Sequence, residues 1–174
     1  MDFISEPKPQ SYYKQHLLVD IRDFKSRINN KELSFMVKLT DIGVPPYSIV
    51  QSVELKAVNF PKIQDEMYFI LDVPEFSGRL HSSDNVGSHD SFAIIYYDNS
   101  NSAKGYMKPM KGKDFDEKKY IFNPPEKNFN KFTINFRKYG GNIVTCDDVT
   151  NSFTTIDSFV ESFPISLLFE FEIK

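Results

Sequence analysis

Two histidines and two aspartates fall close together in His81-Ser82-Ser83-Asp84-Asn85 and Val86-Gly87-Ser88-His89-Asp90. Imidazole nitrogens and carboxylate oxygens are zinc ligands, so these residue types could hold a metal ion. Their arrangement argues otherwise. Structural zinc sites usually space their ligands more tightly, and this segment is polar, with no periodicity to set it on a regular element. The His-x-His spacing that metal-binding cupins carry on a strand is also absent. An exposed loop whose polar residues suit its solvation is the reading taken, with no metal at His81 or His89.

Cys146 is the only cysteine, so no disulfide can form within the chain. It lies in Val144-Thr145-Cys146-Asp147-Asp148. A nucleophilic thiolate needs a positive neighbourhood, and adjacent carboxylates raise its pKa instead. Cys146 is therefore expected to act as a small, half-buried hydrophobe. The chain contains no Gly-x-Ser-x-Gly elbow, no His-Glu-x-x-His, no Gly-rich phosphate loop and no Cys-x-x-Cys. The expectation is a protein without catalytic, cofactor-binding or metal residues: not an enzyme, and without a cofactor. Tyr12-Tyr13, Tyr96-Tyr97 and Tyr106 offer another chemistry, a platform for stacking sugars. Tyrosine also enriches protein interfaces, and alternation that turned one of each pair inward would give half of them a core role.

Composition favours strands as the elements that carry these residues. Of 174 residues, 17 are Phe and 9 are Tyr, with no Trp and 40% hydrophobic overall. Aromatic and β-branched side chains suit a pleated, half-buried surface. Net charge is −3, so nucleic acid is not an expected partner. Lys111-Gly112-Lys113 and Lys118-Lys119 are interrupted by Asp114, Asp116 and Glu117, as in a solvated loop. The first residues have neither the basic nor the apolar region of a signal peptide. No apolar run approaches the ~20 residues of a membrane span. With one cysteine and no Asn-x-Ser/Thr sequon, folding in a reducing compartment such as a cytosol is expected.

Period-two alternation marks three strands. Leu33, Phe35, Val37 and Leu39 form one set, Phe132, Ile134 and Phe136 another. Ile165, Leu167, Phe169, Phe171 and Ile173 form the third. Further strands are expected over residues 50–60, 67–73, 92–97 and 120–122, punctuated by Pro45-Pro46, Pro61, Asn123-Pro124-Pro125 and Tyr139-Gly140-Gly141-Asn142. The continuous apolar runs 67–73 and 92–97 predict cover on both faces, for instance from a neighbouring subunit. Leu17, Leu18, Ile21, Phe24 and Ile28 fit a helical stripe, whereas Leu17, Val19 and Ile21 fit a strand. Periodicity does not decide between them, and a strand from His16 to Ile21 is the reading taken. Eight strands with regular turn signals predict an all-β fold, an antiparallel sandwich or barrel. Residues 1–15 are expected to form an extended N-terminal arm and residues 16–174 a single domain.

Several stretches, in order, resemble penton proteins of virophages and large nucleocytoplasmic DNA viruses. His16-Leu17-Leu18-Val19-Asp20-Ile21-Arg22-Asp23 is similar to the opening strand of that family, which often carries Ser-Arg where Ile21-Arg22 stands here. A Phe-led strand follows from Leu33 to Thr40, then Val53-Glu54-Leu55-Lys56-Ala57-Val58-Asn59-Phe60-Pro61 and Tyr68-Phe69-Ile70-Leu71-Asp72-Val73. Ile121-Phe122-Asn123-Pro124-Pro125 leads into Asn130-Lys131-Phe132-Thr133-Ile134-Asn135-Phe136, and Leu168-Phe169-Glu170-Phe171-Glu172-Ile173 resembles the closing strand. The resemblance implies an eight-stranded antiparallel jelly-roll β-sandwich. It further implies a structural capsid protein of the virion, assembled in the host cell. Its homopentamer would close each fivefold vertex beside a neighbouring major capsid protein. Some family members carry an inserted outer domain, and none is visible here. A lectin-like carbohydrate-binding sandwich is the rival reading, since jelly rolls host that function too. A cupin-type enzyme is a weaker rival, because His16, His81 and His89 do not sit at the positions of a metal triad.

Overall fold

A computed structural model describes residues 11–27, 31–61, 63, 66–76, 91–96, 119–150 and 155–174. Within them lie eight strands: β1 Tyr13–Asp20, β2 Ser34–Lys38, β3 Tyr47–Asn59, β4 Tyr68–Asp72, β5 Ala93–Tyr96, β6 Lys119–Phe129, β7 Lys131–Arg137 and β8 Ser166–Ile173. Two short helices, α1 Cys146–Val149 and α2 Ile156–Ser162, separate β7 from β8. The alternation behaves as its period dictates. Leu167, Phe169, Phe171 and Ile173 are buried along β8, while Ser166, Leu168, Glu170 and Glu172 line its other face.

The strands form two four-stranded antiparallel sheets, ordered β1-β8-β3-β6 and β2-β7-β4-β5. Their pairing is nested. The innermost pair is β4 with β5, enclosed by β3 with β6, then β2 with β7, then β1 with β8. A single antiparallel ribbon folded over itself gives this pattern, which is the jelly roll. Most connections therefore cross between sheets, and only β4 and β5 are consecutive neighbours within one.

Between the sheets lies a core of aromatic rings. Phe76, on a 3-10 turn over Pro74–Phe76, has its ring centroid 5.4 Å from Phe132 of β7 and 5.8 Å from Phe129 of β6. Phe169 and Phe171 of β8 lie 6.4 and 6.3 Å from it. Phe60, Phe69 and Phe136 make a second knot, with Phe60 4.5 Å from each of the others. Phe35, Phe132, Phe136 and Phe169 are all buried, in line with the expected register.

Four expectations need correction. The ambiguous stretch contains both structures: β1 ends at Asp20, and a 3-10 helix runs Ile21–Arg27. The change of period keeps Leu17, Val19, Ile21 and Phe24 all buried and leaves Leu18 outside. β1 also begins at Tyr13, so residues 13–15 belong to the sandwich rather than to an arm, while residues 1–10 lie outside the described residues. The prolines at 124 and 125 do not end a strand. On β3, Val50 pairs with Glu126 and Ser52 with Ile121, so the residues between Ile121 and Glu126 bulge out of the ladder. A bulge on the edge strand β6 never needs the N–H groups that proline lacks. Finally, Ile70 on the outer face of β4 is buried within the chain itself, so its cover needs no second subunit.

Polar detail ties the connections down. The Tyr139-Gly140-Gly141-Asn142 turn places Gly141 at φ 83°, with its N–H bonded to the Lys138 carbonyl at 2.9 Å. At α1, the Asp148 carboxylate accepts the Thr145 N–H at 2.7 Å and the Thr145 hydroxyl at 2.9 Å. It also pairs with Lys138 Nζ at 2.8 Å. Burial alone would raise the Asp148 pKa, but Lys138 and the Thr145 donors outweigh it and hold the carboxyl below its usual value. Among the described residues the buried Tyr47 hydroxyl finds no hydrogen-bond partner, and burial, followed by the proximity of Tyr13, pushes its pKa up to about 12.

Replacing Phe136 or Phe169 by alanine should cost ~3–5 kcal/mol in chemical denaturation, because each leaves a cavity between the sheets. Tyr47→Phe removes a hydroxyl that none of the described residues satisfies. Its melting temperature should hold or rise, and a fall would reveal a bond at that oxygen. For Asp148, a depressed folded pKa means its stabilisation is complete above the ordinary value of 3.8 and is lost as pH falls through the lower folded value. Melting curves below about pH 4 should show wild type losing this contribution, and Asp148→Asn should lack that part of the acid dependence.

Candidate functional site

Cys146, the one candidate nucleophile, opens α1 and is 2% exposed. Burial, and then Asp147, pushes its thiol up to about 11, against the opposing effect of Lys31. At neutral pH it is a protonated core side chain, as its flanking carboxylates suggest. His81, Asp84, His89 and Asp90 lie outside the described residues. Among the described residues, no three His, Cys, Asp or Glu side chains gather closely enough to hold a metal ion. None of the described helices is long and apolar enough to cross a membrane.

The tyrosines are distributed differently from the expected pairs. Tyr12 and Tyr13 are both exposed at the start of β1, so neither turns fully inward. Tyr96 ends β5 in the other sheet, and Tyr97 and Tyr106 lie outside the described residues. Tyr96 instead joins two rings that the sequence reading did not single out. Its centroid is 5.3 Å from Tyr68, which meets Tyr139 edge-on at 6.0 Å. Tyr139 is 55% exposed. The paired strands β4 and β5 bring Tyr68 opposite Tyr96, a juxtaposition invisible without the register.

This aromatic cluster sits at one end of the outer face of the β2-β7-β4-β5 sheet. The rest of that face mixes apolar Met36, Ile70 and Ile94 with a bonded polar chain. The Ser34 hydroxyl donates to Asn135 Oδ1, Asn135 Nδ2 donates to Asp72 Oδ2 at 3.1 Å, and Arg137 Nε donates to the same oxygen at 2.8 Å. Arg137 Nη1 continues to the Gly141 carbonyl at 3.0 Å. Asn135 is buried, so completing its bonds matters more than adding energy, because an unpaired buried amide costs more than a satisfied one contributes.

The outer face of the β1-β8-β3-β6 sheet has a different pattern. Leu18 of β1, Leu168 of β8 and Ala57 of β3 stand in one cross-strand row, with Leu18 61% exposed. The next row pairs His16 with Glu170 and Glu170 with Glu54. There Glu170 meets Lys14 at 2.8 Å, His16 Nε2 at 3.1 Å and Lys56 at 3.4 Å. Lys14 holds the Glu170 carboxyl below its ordinary pKa against burial, with help from Lys56. Glu54, 2.8 Å from Lys56, raises the Lys56 ammonium. Further along, Glu172 accepts from the Ser52 hydroxyl at 2.9 Å and meets Lys119 at 3.4 Å. Surface pairs of this kind contribute only ~0–1 kcal/mol each. Their effect is to keep the charged half of the face internally matched and to leave Leu18-Leu168-Ala57 as its unmatched apolar element.

Two candidate contact surfaces emerge among the described residues: one outer face carries an aliphatic row and the opposite outer face carries a tyrosine cluster.

The chain matches no protein-family model and no curated protein. Among solved structures it is similar to one described as "The Structure of Tomato Aspermy Virus by X-Ray Crystallography", at 15% identity over 99% of this chain and 83% of that chain, with a TM-score of 0.38.

Proposed function

We propose that the chain is a structural capsid protein, a penton whose homopentamers close the fivefold vertices of an icosahedral virion. It has no enzymatic activity and no cofactor in this reading. The observation that carries it is the presence of two unlike apolar clusters on opposite outer faces: Leu18-Leu168-Ala57 on one sheet, and Tyr68, Tyr96 and Tyr139 on the other. A twofold dimer needs one self-complementary patch, whereas a ring needs two different patches that meet head to tail. The sequence resemblance to pentons supplies the number five and the vertex, and the nested jelly roll agrees with it. The net charge of −3 favours protein partners over nucleic acid. Within this reading the segment before β1, with its two prolines, reaches a neighbouring major capsid protein, because proline reduces the entropy lost on docking.

Light scattering of the purified protein at micromolar concentration should give five copies of the 20.2 kDa chain, about 101 kDa. Leu18→Asp should leave stability within about 0.5 kcal/mol, as expected at an exposed site, while shifting the mass towards the monomer. A wild-type mass of one chain, or a Leu18→Asp variant that assembles as before, would sink this reading of the ring contact.

A further inference from the structure

The β6 bulge, the left-handed residue Asn128 (φ 56°) and the 3-10 turn carrying Glu75 all border one open groove of about 340 Å³. That volume lies at the lower end of the ~300–1,000 Å³ range of small-ligand clefts. Two nearly buried rings, Phe122 and Phe129, line it with centroids 6.2 Å apart at 61°. Around them stand Glu75, Glu126, Asn128, Asn130 and Lys131.

Glu75 is fixed in place. Its Oε2 accepts the Thr133 N–H at 2.9 Å and its Oε1 accepts the Thr133 hydroxyl at 3.1 Å. Each carboxylate oxygen has two lone pairs, so each keeps one accepting position beyond its Thr133 bond. Glu126 adds a second acceptor pair, Lys131 adds a donor, and the two amides offer both. Acceptors and donors interleaved at short spacing, beside an apolar patch of ring, match a molecule that carries adjacent hydroxyls on one side and C–H groups on the other. Two carboxylates disfavour a phosphate, and the Lys131 ammonium disfavours a bare cation.

We propose that this groove is a carbohydrate-binding site that takes a terminal hexopyranose of a glycan. The C–H side of the sugar meets the edges of Phe122 and Phe129 that reach the groove, its hydroxyls donate to Glu75 and Glu126, and they accept from Lys131 and the Asn128 and Asn130 amides. An open groove with so few contacts binds weakly, in the millimolar range of single small ligands. Several copies on one assembly would strengthen attachment to a glycan-coated surface through effective concentration. The groove lies within one chain, so the inference stands whether or not the chain forms pentamers.

The test is a glycan array probed with the full chain through a terminal tag. It is followed by saturation-transfer NMR on methyl glycosides of the common hexoses. The expected result is array binding to glycans that share a terminal sugar, with saturation transfer to the matching methyl glycoside. Glu126→Ala and Asn130→Ala, both at exposed positions, should each weaken that binding about ten-fold or more with unchanged melting temperature. Tyr96→Ala and Tyr139→Ala should leave saturation transfer to the methyl glycoside intact, because that monovalent readout does not depend on assembly. Four results would overturn the proposal: no glycan or methyl glycoside bound, full binding by Glu126→Ala, binding lost only in the tyrosine variants, or calcium chloride alone shifting the Glu126 and Asn128 amide resonances.

Discussion

Phe76 touches rings from both sheets, and much of the molecule follows from that packing. Phe122 and Phe129 of β6, and Phe169 and Phe171 of β8, approach it from one sheet. Phe132 of β7 approaches from the other, and Phe92, just before β5, closes the set. Aromatic pairs at these separations contribute about 0.5–1.5 kcal/mol each beyond the area they bury. A sandwich made of aliphatic side chains would pack with freer choice of neighbours. Large flat rings at fixed angles allow fewer arrangements, so the spacing and register of the two sheets are set together. The turn over Pro74–Phe76 is held to β7 by Glu75, which binds Thr133, so a single short connection positions both the central ring and one wall of the groove.

Strands whose alternation was strict were legible from the amino-acid order alone. Phe35 and Val37, or Phe169 and Phe171, can be buried together only in an extended backbone. Legibility failed where the ladder departs from regular period. Ile21 and Phe24 are buried by a 3-10 turn that follows a strand, so neither period describes the whole stretch. Pro124 and Pro125 signal an interruption, but the strand resumes beyond the bulge and still pairs Tyr47 with Phe129. The Tyr68-Tyr96-Tyr139 cluster was illegible for a different reason: its residues are far apart in the chain, and composition and spacing do not encode the register that sets Tyr68 opposite Tyr96. Most of the groove comes from the single stretch 122–131, and what spacing did not reveal is the β6 bulge and the Glu75–Thr133 bonds that add its other wall.

The two outer faces also differ in how they solve the problem of exposure. On the β1-β8-β3-β6 side, lysines and glutamates neutralise one another across strands and leave the leucine row beside them. On the other side, a part-buried chain of Ser34, Asn135, Asp72 and Arg137 stiffens the sheet that carries the tyrosines. A contact surface built on rigid strands loses little conformational entropy when covered. The leucine row lies wholly on strands, as do Tyr68 and Tyr96, whereas Tyr139 stands on the turn after β7.

The nested pairing also imposes an order on synthesis. β8 is made after the other seven described strands, yet it lies inside its sheet between β1 and β3. Until it emerges, β1 has no partner in that sheet and β3 has only β6, so two open edges face the surroundings. The β4-β5 pair closes the shortest loop and can form early, whereas β1-β8 joins Tyr13 to Ile173 across nearly the whole chain. The sheet that carries the leucine row is therefore completed only after β8 has left the ribosome. A copy whose β8 has not yet emerged cannot present that row on a finished face, so contact through it waits for that strand.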